Sequence, residues 1–426
     1  MDKASLDFDI VVVGGGPGGI AAATVAAECG ARVAILDDSP WLGGQIWRGF
    51  PRQRAAPARL WLQRLEHSGV TPMTGTCVIA APARGCLLAE SQAHSLTICW
   101  KRLIIATGAR ELFLPFPGWH LPGVIGPGGL LGLAKNGWPV RNKRIVVAGS
   151  GPLLLAAAAG FGKLGAALIS INEQTPVTTL RRFALQLVRF PTRLSQALQL
   201  RVFTRGAPYR PGVWPVRADG EQTVRRVTLT DGLKTWTEDC DILACAFGLT
   251  PNVELPLAVG CGLDGEFVAV DEFQQATMEH VYCAGELTGI GGSECAQIEG
   301  QIAGYSAAGQ QDQARSLFRC RARHHGFRSH LLRAFALRPE VIALADDATI
   351  LCRCEDVTLG TVRRFASWRE AKLHSRCGMG PCQGRICGAA TKSILGWAAE
   401  SIRPPIVPSR VESLISGSCG RAGLRL

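Results

Sequence analysis

Short unbroken apolar runs that end in glycines recur along the chain and predict buried strands. The first run, Ile10–Val13, leads into a glycine-rich turn and then into an Ala-rich stretch from about Ile20 to Glu28. A second apolar run, Val33–Leu36, follows. A continuous apolar run is typical of a parallel strand that is buried on both faces, and the stretch between the two runs has the composition of a helix. The pattern therefore predicts an α/β fold that begins with a Rossmann-like βαβ unit.

The turn after the first strand has the spacing of a dinucleotide-binding loop. Gly14, Gly16 and Gly19 follow the pattern G-x-G-x-x-G. The first glycine permits the tight turn, the second lets backbone N–H groups approach a pyrophosphate, and the third lets helix and strand pack closely. Asp37 ends the second strand, where a carboxylate can hold a ribose hydroxyl. An ordinary glycine-rich turn is the alternative, but strand, triplet, helix, strand and acid together predict an FAD site.

Two later segments extend the flavin prediction. The turn Trp41–Ile46 contains Gly44 and Gln45, where the backbone can lie close to a ring system. Flavin disulfide reductases carry a redox cysteine pair near this place, and this sequence has none there. A further apolar run ends in Thr107 and Gly108, which matches the A-T-G strand end of two-dinucleotide flavoproteins. We therefore expect these segments to line the same flavin site.

The opening pattern repeats in the middle of the chain in a degenerate form. An apolar run leads into Gly149 and Gly151, but Leu154 stands in place of the third glycine. Helix and strand cannot approach as closely there. A later run ends in Asn172 and Glu173, where a ribose ligand could sit. We expect a second adenine nucleotide here (ATP, NAD or FAD), and the alternative is a Rossmann half that is kept only as scaffold.

The pattern then predicts that the chain returns to the first domain through Gly285 and Glu286. Flavoproteins of this kind usually carry Gly-Asp at this point, and the acid binds the ribityl chain of the flavin. Glu286 is one methylene longer. Between Phe113 and Leu263 the sequence has no Cys-x-x-Cys, so the dithiol of thioredoxin reductases is absent.

These motifs predict the domain organisation. We expect an FAD-binding domain at 1–112 plus 266–310, an inserted second nucleotide-binding domain at 113–265, a basic helical linker at 311–345, a [2Fe-2S]-binding domain at 346–400 and a tail at 401–426. Within the linker, His324 and His325 are expected on a solvated face instead of at a metal.

Composition and charge narrow the class of protein. The 426 residues are 47% hydrophobic and 19% charged, which is typical of a globular protein. The first strand begins by Ile10, too early for a signal peptide, and the longest apolar stretch is too short for a transmembrane segment. We therefore expect a soluble cytoplasmic protein, with peripheral membrane association left open.

The net charge of +12 is unevenly distributed. Residues 1–310 hold 27 Lys+Arg and 25 Asp+Glu, whereas residues 311–426 hold 19 and 9. The sequence shows no aromatic–basic interleaving of the kind that binds nucleic acid, so we expect no nucleic-acid partner. A solvated face, an anionic cofactor or an acidic partner surface explains the basic C-terminal region better.

Five of the sixteen cysteines lie within 36 residues, at Cys352, Cys354, Cys377, Cys382 and Cys387. Cytosolic thiols rarely form a disulfide framework, and thiols gathered this densely among glycines indicate a metal. We favour a [2Fe-2S] cluster, whose negative charge Arg353, Arg376 and Arg385 could offset. Zinc is the main alternative, although a Cys-x-Cys pair fits the usual zinc spacing less well. Spacing alone does not choose among the five thiols.

Motifs along most of the chain resemble those of one family of flavoproteins. They are Gly43–Ile46, Ala148–Leu154, Gly285–Gly292, Cys352–Val357 and Arg376–Cys387. They look like the A (alpha) subunits of opine oxidases. They are also similar to the B subunit of hydrogen cyanide synthase and to the alpha subunits of D-hydroxyproline and L-proline dehydrogenases. The likeness runs from about Asp9 to Gly388, and the C-terminal motif is its most specific part.

The resemblance implies a fold and a ligand set. The fold is a two-dinucleotide-binding-domain flavoprotein with nested Rossmann-like domains and a small C-terminal helical [2Fe-2S] domain. That last domain resembles the one named for bacterioferritin-associated ferredoxin, whose ligands would fall on Cys352, Cys354, Cys382 and Cys387. Cys377 stands where a small residue that is not a ligand is expected, which makes it a spare thiol or a competitor for Cys382.

The resemblance also implies partners. In the family the amine is oxidised on a separate flavin-bearing beta subunit that resembles D-amino-acid oxidases, and the alpha subunit takes the electrons onward. In several members FMN lies between the two subunits, and a small [2Fe-2S] gamma subunit is a further candidate partner. Nothing in this chain looks like a substrate pocket with an arginine clamp and a base, so no catalytic residue is assigned.

Three functions stay open from the sequence. The favoured one is the electron-transferring subunit of an amine or amino-acid dehydrogenase of the opine, hydroxyproline, proline or glycine type, which acts on CH–NH donors. The second is a stand-alone NAD(P)H-dependent ferredoxin-type reductase, against which Leu154 and the missing dithiol count. The third is a non-enzymatic iron–sulfur carrier or docking protein.

Overall fold

The structure is a computed structural model that describes residues 5–47, 56–92, 94–397 and 402–418. The chain divides into two compact units. Unit 1 consists of Met1–Arg110, Pro251–Arg328 and Ser401–Leu426, and unit 2 consists of Glu111–Thr250 and Ser329–Glu400. The division at Arg328 falls inside the expected linker, and the cysteine-rich segment belongs to unit 2 together with the second nucleotide-binding motif.

The first part of unit 1 is built around a mainly parallel sheet. Its elements, up to the start of unit 2, are β1 (Ser5–Val13), α1 (Pro17–Glu28), β2 (Val33–Asp37), α2 (Gly44–Trp47), α3 (Ala56–His67), β3 (Thr71–Thr74), β4 (Cys77–Ala83), β5 (Cys86–Glu90), β6 (Ser95–Ile105) and β7 (Ala109–Glu111). The strand order is β3-β2-β1-β6-β5-β4. In β1, Ile10 and Val12 face one hydrophobic cluster while Val11 and Val13 face another. This burial on both faces explains the unbroken apolar run.

The first part of unit 2 repeats the nucleotide-binding architecture and adds a small antiparallel sheet. Its elements are β8 (Val124–Ile125), α4 (Pro127–Lys135), β9 (Arg144–Gly149), α5 (Leu153–Lys163), β10 (Ala167–Glu173), α6 (Val177–Leu187), α7 (Pro191–Phe203), β11 (Tyr209–Pro211), β12 (Trp214–Asp219), β13 (Arg226–Thr230), β14 (Thr235–Asp239), β15 (Ile242–Ala246) and β16 (Leu249–Pro251). The parallel sheet has the order β11-β10-β9-β15-β8, and β12-β13-β14 form the antiparallel sheet.

The chain returns to unit 1 before it completes unit 2. The elements of the return are α8 (Glu254–Val259), β17 (Leu263–Asp264), β18 (Phe267–Val268), β19 (Val281–Cys283), a 3-10 turn (Gly285–Leu287), α9 (Ser293–Ala307), α10 (Gln311–Ser316) and α11 (Phe318–Ala334). The remaining elements are α12 (Pro339–Ile342), β20 (Ile350–Cys352), β21 (Val357–Thr358), α13 (Leu359–Val362), α14 (Trp368–Ser375), α15 (Cys387–Leu395) and α16 (Val411–Ser418). Strand β19 pairs in parallel with β6, so the last strand of the return completes the first sheet.

Helices α1 and α9 pack closely because glycines lie at their contact. A Cβ atom on Gly300 would lie 2.1 Å from the carbonyl oxygen of Gly18, and one on Gly304 would lie 2.4 Å from that of Ala22. Neither backbone oxygen can move without disturbing α1. The predicted α/β fold with two Rossmann-like sheets is confirmed, and the two helices bring residues about 280 positions apart into contact.

The C-terminal segments pack onto each unit. In unit 2 the cysteine-rich segment has its own apolar core, and the indole N–H of Trp119 donates a hydrogen bond to the carbonyl of Ile350 at 2.5 Å. In unit 1 the guanidinium of Arg410 binds the carboxylate of Glu90 at 3.0 Å and the carbonyl of Ser91 at 2.9 Å. The sequence predicted only a tail there. Across the described ranges, every helix is too short or too polar to cross a membrane.

Candidate functional site

The glycines of the β1–α1 turn divide into two that the fold requires and one that faces open space. A Cβ on Gly14, whose φ is +109°, would lie 2.3 Å from the carbonyl oxygen of Ala106. A Cβ on Gly19 would lie 1.8 Å from the carbonyl oxygen of Gly14. By contrast, a Cβ on Gly16 would meet no described heavy atom within 4 Å. Gly16 therefore keeps clear a space beside the loop, as a bound pyrophosphate would require.

That space lies at the N-terminus of α1. Gly16 is the N-cap residue, no side chain caps the helix, and the first turn carries no acidic residue. The unpaired N–H groups and the positive end of the helix dipole are therefore available to an anion. Gly44 packs against the same loop, and its lack of a side chain permits this contact, because a Cβ on it would lie 2.9 Å from the Cα of Gly16. Gln45, the next residue, is exposed.

Asp37 holds the loop from the end of β2. Its Oδ2 accepts a hydrogen bond from the N–H of Gly15 at 2.6 Å, and its Oδ1 accepts one from the N–H of Ser39 at 2.8 Å. The side chain is partly exposed. The carboxylate thus stands at the strand end where the sequence places a ribose ligand, and it also fixes the shape of the glycine turn.

Thr107 and Gly108 lie beside a residue that the sequence analysis missed. The amide of Asn252 donates to the carbonyl of Thr107 at 2.8 Å, and the Thr107 hydroxyl donates to the carbonyl of Asn252 at 2.9 Å. Arg110 donates to the Asn252 side-chain oxygen at 2.6 Å and forms an ion pair with Glu254 at 2.9 Å. The sequence signal for Asn252 was a polar residue directly after β16.

The turn that carries Gly285 and Glu286 is fixed by a buried carboxylate on α9. Glu299 is 0% exposed, and its Oε2 accepts hydrogen bonds from the N–H of Gly285 at 2.9 Å and the hydroxyl of Thr288 at 3.0 Å. Burial, followed by the nearby charge of Glu299, raises the pKa of Glu286 to about 7. Glu299 is therefore a positioning residue for the turn that presents Glu286.

Two side chains of α11 contact Glu299 from the other side. Its Oε1 lies 2.7 Å from the Nε2 of His325 and 3.6 Å from the guanidinium of Arg328. His325 was expected on a solvated face, and the structure instead pairs it with this buried carboxylate. The signal for Glu299 in the sequence was an acid inside a helix of small and apolar residues.

Cys295 completes a group that resembles a metal site in composition. The ligand atoms of Cys295, Glu299 and His325 lie within 4.8 Å of one another. The guanidinium of Arg328 lies in the same place, however, and repels a divalent cation there. We therefore interpret the group as an ion-pair network that anchors the turn, with Cys295 as a buried neighbour.

The second glycine loop, in unit 2, resembles the first in the space around its glycines but differs in backbone conformation, because Gly151 has a φ of +105° and Gly16 one of −76°. A Cβ on Gly149 would lie 1.8 Å from the carbonyl oxygen of Ala246, whereas one on Gly151 would meet no described atom within 4 Å. Leu154, at the position of the third glycine, is 1% exposed and belongs to an apolar cluster. The loop thus keeps an open side at Gly151, as the first loop does at Gly16.

Glu173, the acidic residue beside the second loop, is buried. Glu173 is 1% exposed, accepts from the N–H of Gly151 at 2.8 Å, and accepts from the N–H and hydroxyl of Thr175 at 3.0 and 2.9 Å. Burial raises its pKa to about 7. Asn172 is also buried. Neither residue is open to a ribose, so the second loop differs from the first at the position where Asp37 stands.

The five clustered cysteines form two groups. The sulfur atoms of Cys352, Cys377 and Cys387 lie within 4.8 Å of one another, and all three residues are buried. The sulfurs of Cys354 and Cys382 lie 3.7 Å apart, and Cys354 is exposed. The ligand set that the resemblance implies is thus divided into two pairs. Cys377 lies beside Cys352 and Cys387 instead of in the group of Cys382.

The loop between these thiols is built to bring them together. Gly378 and Gly384 have φ values of +79° and +81°, a conformation that favours glycine. A Cβ on Gly380 would lie 2.3 Å from the Cβ of Cys354, so this glycine lets the loop approach the Cys352–Cys354 segment. Hydrogen bonds from Cys377 and Cys387 hold the pKa of the Cys352 thiol well below its usual range.

The surroundings of the thiols suit a buried inorganic group. A largely apolar cavity of about 310 Å³ adjoins them and is lined by Phe113, Val124, Ile125, Gly126, Cys352, Arg353, Cys354, Cys382, Ile386 and Cys387. Arg353 lies over the ring of Trp119, 5.0 Å from its centroid, and Arg376 pairs with Glu355 at 2.8 Å. Soft sulfur donors beside an apolar space fit an iron–sulfur cluster or zinc.

Comparisons with known proteins show the family to which the chain is similar. Residues 8–311 match the family model described as pyridine nucleotide-disulphide oxidoreductase. The chain is 30% identical to the A subunit of opine oxidase from Rhizobium meliloti (strain 1021), over 94% of this chain and 97% of that protein. It is 28% identical to the HcnB subunit of hydrogen cyanide synthase from Pseudomonas protegens, over 90% of each. The resemblance to this group of proteins is confirmed.

Two solved structures show the same fold. The L-proline dehydrogenase of P. horikoshii superposes with a TM-score of 0.67 at 18% identity, over 97% of this chain and 80% of that one. The thioredoxin reductase of T. acidophilum superposes with a TM-score of 0.55 at 22% identity, over 72% of this chain and 99% of that one. The first likeness extends over the C-terminal region as well, beyond the two nucleotide-binding domains.

Proposed function

Because the chain belongs to the pyridine nucleotide-disulphide oxidoreductase family, we propose that it is the electron-transferring subunit of a multi-subunit amine or amino-acid dehydrogenase. It is an oxidoreductase of the opine oxidase and hydrogen cyanide synthase type, and the relatives it matches over most of their length are named as subunits. In the proposal, electrons arrive from a partner flavoprotein and leave to a separate acceptor.

The observation that carries the proposal is that the chain lacks a cysteine pair in its flavin segment and has a group of cysteines near its C-terminal end. The disulphide chemistry of the family needs a cysteine pair beside the flavin, and the sequence has none at Trp41–Ile46 and no Cys-x-x-Cys between Phe113 and Leu263. The same chain gathers five thiols in two groups near its C-terminal end. Thiolates of this kind hold one-electron carriers. In this proposal the C-terminal thiols bind a metal, and the chain does not use a dithiol beside the flavin.

The residues fit an FAD at the first loop. Gly14, Gly16, Gly19 and Asp37 would hold its pyrophosphate and ribose, and the open space at Gly16 supports this assignment. The remaining flavin contacts are assigned to Gly44, Gln45, Thr107, Gly108, Gly285 and Glu286. Bound FAD supplies the step between two-electron and one-electron transfer, while the protein sets its position and surroundings. Glu299 contributes by fixing the turn of Glu286.

The thiols fit a [2Fe-2S] cluster, with zinc as the alternative. The family resemblance assigns Cys352, Cys354, Cys382 and Cys387 as its ligands. The proximity of Cys354 to Cys382, at 3.7 Å, and of Cys387 to Cys352, within 4.8 Å, supports this assignment. At the second loop, Gly149 and Gly151 would hold an adenine nucleotide that takes no part in hydride transfer. The inward-pointing Glu173 supports a role different from that of the first site.

The proposed partner is a beta subunit of D-amino-acid-oxidase type that carries the substrate pocket, with FMN between the two chains. A small [2Fe-2S] protein is proposed as a further member of the complex. Co-expression with the beta partner tests the function. We expect the two chains to purify together and a primary or secondary amino acid to reduce a dye only with both present. Steady-state NADH oxidation by this chain alone would contradict the proposal and favour a stand-alone reductase.

A further inference from the structure

We propose that Cys377 is a reserve ligand of the cluster and can take the place of Cys387 beside Cys352. The inference rests on the proposed iron–sulfur site. Cys377 is 0% exposed, and its sulfur lies within 4.8 Å of both the Cys352 and Cys387 sulfurs. Thiolates that share one tetrahedral metal with bonds of about 2.3 Å are separated by about 3.8 Å. Small side-chain rotations are therefore enough for either thiol to join Cys352 on one metal.

The chain positions of the three thiols make Cys377 the alternative to Cys387. All three sulfurs lie within 4.8 Å of one another. Cys352 ends β20, while Cys377 and Cys387 lie at the two ends of the glycine-rich loop after α14. An iron bound to Cys352 would have two candidates for its second thiolate, one at each end of this loop.

The other end of the site has no such reserve. Cys354 and Cys382 pair at 3.7 Å, and among the described residues no third Cys, His, Asp or Glu is grouped with them as a ligand. The chain therefore contains its own control. Loss of Cys387 leaves a sulfur beside Cys352, whereas loss of Cys382 leaves Cys354 with none.

The exchange is balanced without an oxidant or a reductant. One iron–sulfur bond, to Cys387, breaks, and one bond, to Cys377, forms. The proton of the Cys377 thiol passes to the released Cys387 thiolate. No electron is transferred, so the exchange can occur in either oxidation state of the site. A buried cysteine that serves only as a small apolar residue would make no such exchange.

The test uses alanine variants of the full chain, purified anaerobically, because alanine cannot replace a thiolate ligand. Iron and acid-labile sulfide per chain, visible absorption and the EPR signal of the reduced protein are measured for Cys377→Ala, Cys387→Ala, Cys382→Ala and the double variant Cys377→Ala/Cys387→Ala. Far-UV circular dichroism confirms that each variant folds. Cys320→Ala, at an exposed cysteine outside the site, controls for the handling of thiols.

We expect Cys377→Ala and Cys387→Ala each to keep the iron of the wild type, with a shifted EPR spectrum in Cys387→Ala because a different thiolate is bound. The double variant and Cys382→Ala should lose the cluster. Loss of iron from folded Cys387→Ala would overturn the reserve role while leaving the proposed function intact. A wild-type chain with zinc and no iron would instead contradict the proposed function itself, and the inference with it.

Discussion

Single residues decide what each glycine loop can bind. The three glycines of the first loop look equivalent in the sequence, yet a Cβ on two of them would meet backbone oxygens, whereas a Cβ on the third would meet open space. That third glycine, Gly16, has a φ of −76°, which any residue can adopt. The requirement for glycine at this position therefore comes from a ligand and not from the fold. This difference allows substitutions to separate binding from stability.

The first prediction compares Gly16→Ala with Gly19→Ala. Gly16→Ala should leave the free energy of unfolding of the apoprotein within about 0.5 kcal/mol, because its Cβ meets no atom, and should weaken FAD binding. Gly19→Ala should destabilise the fold by about 3 kcal/mol or more, since its Cβ would lie 1.8 Å from the Gly14 carbonyl oxygen. Urea unfolding and flavin titration measure the two effects. Full flavin affinity in Gly16→Ala would show that the site is misassigned.

The second prediction concerns Glu299. Glu299→Gln can keep acceptor contacts to Gly285 and Thr288, but it leaves His325 and Arg328 without their carboxylate. Breaking a buried ion pair by removing one charge costs about 3 kcal/mol. We expect a loss of that size in urea unfolding, together with a change in flavin potential, because the negative charge beside Glu286 is removed.

An exposed ion pair gives the control for Glu299. Glu412 pairs with Arg410 at 3.5 Å, and the Glu412 side chain is 74% exposed. Because solvent screens such a pair, Glu412→Gln should change the free energy of unfolding by less than about 1 kcal/mol. Equal effects of the two substitutions would contradict the anchoring role of Glu299.

At the scale of elements, the sequence predicted the local βαβ units and missed the contacts between residues that are far apart in the chain. The βαβ units follow from apolar runs and glycine spacing, which act over some thirty residues. The contact of Glu299 with His325 joins α9 to α11, and no residue spacing within either helix indicates that these two residues meet. The packing of Arg410 on Glu90 joins residues 320 positions apart. The neighbours of Cys377 could not be predicted either, because they depend on the conformation of the loop between α14 and α15.

The third prediction concerns the end of β10, where Glu173 lies inside the fold. Its folded-state pKa is about 7, above its ordinary value of 4.5, so the folded chain holds this proton more tightly than the unfolded chain does. Its contribution to stability is therefore fully present below pH 4.5 and is lost as the pH rises to about 7. The loss amounts to about 3 kcal/mol.

Glu173→Gln tests this linkage, because glutamine has nearly the same shape, does not titrate, and can still accept the two hydrogen bonds from Thr175 on its single side-chain oxygen. We expect the free energy of unfolding of the apoprotein to depend less on pH between 4.5 and 7 in this variant than in the wild type. Asp37→Asn is the matched change at the partly exposed acid of the first loop. If Glu173→Gln and the wild type show the same pH dependence, Glu173 does not titrate in this range.

At the scale of the whole molecule, the chain combines the two nucleotide-binding folds of a reductase with a thiol cluster that reductases of the dithiol type lack. The fold alone would allow NADH to deliver electrons at the second loop. The details of that loop argue otherwise. Leu154 fills the position of the third glycine, and Glu173, which corresponds to Asp37, is enclosed. We therefore expect electrons to enter from a protein partner.

The last prediction is that NADH and NADPH do not rapidly reduce the flavin of this chain. In a stopped-flow experiment on the holoprotein under anaerobic conditions, mixing with either nucleotide should leave the flavin absorption unchanged during the first seconds. Dithionite should bleach the same sample, which shows that the flavin is competent. In a separate sample without dithionite, the reduced partner protein should bleach the flavin that the nucleotides left oxidised. Rapid bleaching by NADH alone would show that the second loop delivers hydride, and it would favour the stand-alone reductase.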